Sequence, residues 1–211
     1  MRRALLLAAA LGLAGCGQKT LSLPADPIDR AATCGVVAAA EARSATANIK
    51  AALPIEAQGR ILHYALLAGN QPDGFSIERA SNVSKRMPEL EANITGGKWQ
   101  DLAPACAAAY PETATSEVEL PSGRYDALIG CDEVAHFLTE ALERQEVQYG
   151  KELGDYATLR RKLESQITPG LHARAGSDVA KQQVERRKAM AGMVKRGNPA
   201  LVAQQCVKKF G

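Results

Sequence analysis

Aromatic side chains are scarce in this 211-residue sequence, at 4%. That scarcity argues against a sheet-based core, which draws on aromatic and β-branched residues. Histidine occurs only three times, as His63, His136 and His172. Neither His63 nor His172 has a sequence neighbour that suggests a catalytic triad. None of the five cysteines falls in a CxxC or CxxCH arrangement, so a redox dithiol, a zinc ribbon and a c-type haem site all fail on spacing. There is no GxSxG turn to expose a nucleophilic serine and no glycine loop to cradle phosphate. The formal net charge is only +3, far from the basic footprint of a nucleic-acid binder. No apolar run approaches the ~20 residues needed to span a bilayer as a helix.

What is present is alanine, with leucine and valine at intervals, within a hydrophobic fraction of 46%. Alanine carries the highest helix propensity and lets helices pack closely. The expected class is all-α, and no convincing strand is found; residues 118–120 are too short to count.

The first residues have the three parts of an export signal. Arg2 and Arg3 form a positive start, residues 4–13 an apolar run, and Leu13-Ala14-Gly15-Cys16 a small-residue approach to a cysteine. That tetrapeptide resembles the bacterial lipobox, which implies cleavage before Cys16 and lipid attachment to its thiol. The expected segments are a signal peptide at 1–15 and a lipidated tether at 16–28. Gly17, where aspartate would retain a lipoprotein at the inner membrane of enterobacteria, leans the expected address toward the periplasmic face of the outer membrane. Loss of Arg2 and Arg3 would lower the net charge to +1. No nucleic-acid partner is expected for such an exported, near-neutral chain. Charge is nonetheless uneven: residues 17–121 carry 9 Lys and Arg against 12 Asp and Glu, and residues 122–211 carry 15 against 11.

With Cys16 assigned to lipid, four cysteines remain: Cys34, Cys106, Cys131 and Cys206. An even number in an oxidising compartment suggests disulfides, and four cysteines allow three pairings. Spacing offers a reason to choose. Cys34 and Cys106 lie 72 positions apart, Cys131 and Cys206 lie 75 apart, and the flanking residues echo each other. Val36-Val37-Ala38 follows Cys34 much as Val134-Ala135 follows Cys131. Tyr110 and Phe210 each stand four residues past a closing cysteine. These echoes are read as a tandem duplication. Two four-helix units are expected, helical half 1 at 29–110 and helical half 2 at 124–211, joined by a linker at 111–123. Each would be braced by one disulfide, Cys34–Cys106 or Cys131–Cys206.

Helices are expected over residues 29–53, 55–68, 76 to the mid-nineties, and 98–110 in the first half. Asp29 and Ser76 serve as caps, and Pro88 breaks or kinks the third helix. In the second half they are expected over 124–149, 152–167 with a break at Pro169-Gly170, 171 or 177 to 196, and from Pro199 to the end. Asn198 caps the last.

One metal candidate merits weighing. Glu133-Val134-Ala135-His136, with Glu140 one turn on, resembles the ExxH signature of di-iron bundles. No second ExxH exists, and at about 100° per residue Leu128, Cys131, Val134, Ala135, Leu138 and Leu142 take the opposite stripe. The acids and His136 therefore read as a solvated face, and no metal or other cofactor is expected. His63-Tyr64 reads as a packed pair, Trp99 as a core anchor. The basic clusters Arg160-Arg161-Lys162 and Arg186-Arg187-Lys188, interrupted by glutamates, read as an ordinary outer face. No catalytic residue is assigned. The expected function is a membrane-anchored, non-enzymatic scaffold that binds an envelope protein or lipid. A periplasmic stress chaperone is the alternative, since small acid-stress chaperones resemble each half in plan. A hydrolase with an unrecognised site is the third.

Overall fold

The computed structural model describes residues 21–211 apart from Ile49 and Asp73. The expected signal peptide, Cys16 and the first part of the expected tether lie outside the described residues. The protein is all-α: 78% of the described residues are helical, in eight α-helices and short 3-10 turns. The first four are α1 (Pro27–Ser44), α2 (Ile55–Gly69), α3 (Ile77–Thr95) and α4 (Ala103–Ala109). The last four are α5 (Arg124–Leu142), α6 (Glu146–Ala175), α7 (Val179–Val194) and α8 (Pro199–Phe210). The only extended pairing among the described residues is a two-residue ladder, Asn70–Gln71 against Gly74–Phe75.

Short polar side chains set several of the boundaries. Asp26, not Asp29, caps α1: its Oδ1 accepts from the Ile28 and Asp29 amides at 2.9 Å, with Pro27 at the first helical position. α1 also stops at Ser44, nine residues before the expected end. There the Ser44 and Thr46 hydroxyls donate to the Glu41 and Arg43 carbonyls, and Asn48 accepts from the Lys50 amide, so side chains replace the helical ladder. Ser76, Asp178 and Asn198 cap α3, α7 and α8.

Two prolines do not end helices. α3 continues through Pro88 and α6 through Pro169. Both prolines lie on exposed positions, where a carbonyl deprived of its amide partner can turn to water. The interruption in the second half falls earlier instead. α5 ends at Leu142, a single 3-10 turn follows at Glu143–Gln145, and Tyr149 (φ −120°, ψ 21°) kinks the start of α6. α6 then runs to Ala175 and ends on Gly176 at φ 64°, a left-handed conformation that glycine adopts without strain.

The two halves share a packing plan. The first helix of each is central, with consecutive residues buried at Ala31–Ala38 and at Ala127–Asp132. Each first helix packs on the second and third of its half and is tied to the fourth by a disulfide. The bonds are Cys34–Cys106 and Cys131–Cys206, with Cα atoms 5.4 Å and 5.7 Å apart. A glycine beside each opening cysteine admits a methionine from the third helix: Gly35 faces Met87, and Gly130 faces Met193.

Burial does not stop at the boundary between halves. One hydrophobic cluster includes Ala31, Ile55 and Leu66 together with Leu128, Leu159 and Ala203. A smaller cluster surrounds the first disulfide, from Val36 and Val37 to Ile94 and Leu102. Between halves, α2 receives the start of α8: Asn198 Nδ2 donates to the Glu56 carbonyl at 2.7 Å, and Gly59 leaves room for Asn198 and Ala200. Tyr149 donates to the Leu53 carbonyl at 2.6 Å. His63, fully buried on α2, donates through Nε2 to the Val194 carbonyl at 2.7 Å. Beyond a 3-10 turn at Pro111–Ala114, the expected linker packs Val118 and Leu120 against the main cluster.

A charged cleft between α5, α6 and α7

The first helix of the second half carries one charge into its buried stripe. Asp132 lies four residues after Leu128 and three before Ala135, so the 3.6-residue period places it among the apolar residues. Its side chain is 10% exposed. A carboxylate removed from water needs charged or hydrogen-bonding partners, and Asp132 has two from different helices. Arg160 of α6 donates through Nε to Oδ1 at 3.3 Å, and Arg186 of α7 donates through Nη1 to Oδ2 at 2.8 Å. Arg186 also reaches Glu133 at 2.7 Å. Burial works against the Arg186 charge, but its hydrogen bonds to Glu133 and Asp132 outweigh that and raise its pKa above the usual guanidinium value.

These struts cross the floor of a cleft of about 530 Å³ in which α6 and α7 form walls above α5. Asp132, Glu133 and His136 line it from α5; Ala157, Arg160, Arg161 and Glu164 from α6; Gln183 and Arg186 from α7. Arg161 and Glu164 stand exposed on the rim. Arg161 donates to the Thr158 hydroxyl on its own helix and forms no ion pair among the described residues. His136 lies 3.4 Å from Glu140, one turn along α5.

This arrangement corrects the reading of both polar surfaces. The face bearing Glu133 and His136 is not simply solvated, because α6 and α7 rise on either side of it and Glu133 is engaged by Arg186. The two basic clusters are not only outer faces: Arg160, Arg161 and Arg186, one or two from each cluster, meet in a single cleft. Lys162, Arg187 and Lys188 do stay exposed. The ExxH residues do not converge as a ligand set, since Glu133 points its contact to an arginine. Among the described residues, no group of three or more His, Cys, Asp or Glu is placed to hold a metal ion.

The remaining sequence candidates lie elsewhere. His63 and Tyr64 are a packed pair: His63 is wholly enclosed and Tyr64 meets Tyr110 edge to face at 5.3 Å. Burial holds the His63 pKa below its ordinary value, against smaller raising effects from the Val194 hydrogen bond and Glu112. Trp99 is half-buried against the first disulfide's cluster and lines a groove of about 760 Å³ between α1, α2 and α3, floored by Val36, Ala39, Ile61 and Met87. Cys16, the expected lipidation residue, lies outside the described residues. Among the described residues, no helix is long and apolar enough to cross a membrane.

No protein-family model matches this chain, and neither a curated protein nor a solved structure shows significant similarity to it.

Proposed function

We propose that this chain is a bacterial envelope lipoprotein, anchored through lipid on Cys16, whose helical domain is a non-enzymatic binding module. The reading begins from the lipobox-like Leu13-Ala14-Gly15-Cys16. The observation that carries it into the folded domain is the pair of disulfides, each tying the first helix of a half to its last. Such bonds persist in oxidising compartments and are rare in a reducing cytosol. They therefore agree with export, the step that lipidation of Cys16 requires.

The cleft supports binding over catalysis. Its lining consists of charged, amide and alanine side chains together with the His136 imidazole, and its most enclosed acid, Asp132, is already held by two arginines. A carboxylate fixed in that way orients guanidinium groups; it is poorly placed to accept a proton from a substrate. Arginine forks held in position are suited to recognising charged groups on another molecule. The envelope address, with the periplasmic face of the outer membrane as the expected side, belongs to the same proposal.

The test combines labelling with fractionation. Cells fed labelled palmitate should incorporate it into the wild-type chain and not into Cys16→Ser. The wild type should sediment with membranes and leave them only in detergent. Equal labelling of both, or a wild-type chain released by salt alone, would overturn the reading.

A further inference from the structure

We infer that the α5–α6–α7 cleft is a binding site for a small zwitterion, a free amino acid or short peptide presenting both a carboxylate and an ammonium. This rests on the binding-module reading and names the ligand class of that same cleft.

Hydrogen-bond donors and charge are left unmatched in the cleft. Arg160 spends only Nε on Asp132, and Arg186 spends only Nη1 on Asp132 and Glu133. Each guanidinium therefore keeps further N–H donors while its position is fixed by a buried acid. Arg161 adds a third guanidinium without an ion pair of its own. Donors arranged in this way suit a carboxylate, which accepts two parallel hydrogen bonds from an arginine fork.

A simple anion site would carry a surplus of positive charge, and this cleft does not. Its three arginines are offset by Asp132, Glu133 and Glu164, of which Glu164 stands on the rim without an ion pair among the described residues. A purely anionic guest would bring its charge toward Glu164 unrelieved, and a purely cationic one toward Arg161. A guest with both charges leaves neither rim residue unsatisfied. The cleft volume of about 530 Å³ lies in the range of small-molecule sites.

The experiment is calorimetric titration of the mature, detergent-solubilised chain with four probes: Ala-Ala, its C-terminal amide, its N-acetyl form and inorganic phosphate. Ala-Ala should bind at one saturable site, with the amide and the N-acetyl form each about tenfold weaker, as expected for loss of a charge-assisted contact. Arg186→Gln should abolish binding. Because that change could also loosen the fold, Arg161→Gln is the decisive variant: it should leave the melting temperature unchanged and narrow the preference for Ala-Ala over its amide, and an unchanged preference would overturn the assignment. Three further results would overturn it: no saturable Ala-Ala binding, equal binding of all three peptides, or tighter binding of phosphate than of Ala-Ala. Palmitate labelling read on the same preparation separates the two ideas. Lipidated chain that ignores Ala-Ala contradicts the ligand and leaves the anchor standing.

Discussion

Asp132 of α5 and Arg186 of α7 meet at 2.8 Å across the floor of a cleft, the acid one-tenth exposed and the arginine about a quarter. Removing the acid leaves two guanidiniums without their shared counter-charge. Asp132→Asn should therefore destabilise the fold by about 1–3 kcal/mol, moderated by the partial exposure of both arginines. Urea unfolding measures this. A double-mutant cycle with Arg186→Gln should show the two changes to be less than additive in cost; simple additivity would mean the contact contributes nothing.

His63 predicts a specific dependence on pH. Burial lowers its folded pKa below the ordinary value of 6.5, so the unfolded chain binds the proton more tightly. The neutral-histidine contribution to stability is whole above about pH 6.5 and is lost as pH falls from there through the folded value. Wild type minus His63→Gln, compared by urea unfolding from pH 8 to pH 4.5, should shrink as the solution becomes acidic. A difference that is constant across that range would place the histidine's proton outside the folding equilibrium.

Much of the architecture was legible in the sequence, for identifiable reasons. The disulfide pairing followed from spacings of 72 and 75 and is the pairing found. Local chemistry marked the caps at Ser76 and Asn198, where a short polar side chain precedes an apolar-periodic run. That α3 and α6 run on through Pro88 and Pro169 is not legible in the sequence, because the exposure of those two positions to water is set by tertiary packing. The cleft was hidden for a different reason. A helical wheel assumes one buried face, yet α5 is buried at six consecutive positions from Ala127 to Asp132. The available signal was Asp132 itself, a charge inside an apolar stripe, which calls for cations from elsewhere in the chain. Which arginines answer it depends on how α6 and α7 pass α5, and that is tertiary information.

The contact between halves gives a third prediction. A Cβ on Gly59 would strike the Asn198 side chain and Ala200, pushing the start of α8 off α2. Gly59→Ala should cost about 1–3 kcal/mol despite its better helix propensity. Because one cluster runs through both halves, the loss should appear as a lower midpoint of a single calorimetric transition. Two separated transitions in the wild type would mean that the halves unfold independently.

Anchoring in the envelope requires Cys16 to be the lipidated first residue of the mature protein. The most direct measurement is mass spectrometry of the N-terminal fragment released by protease from membrane-extracted protein. The expected fragment begins at Cys16, lacks residues 1–15 and carries the mass of a diacylglyceryl group on its sulfur. A fragment that retains Met1 to Gly15, or that begins at an unmodified Cys16, would contradict it.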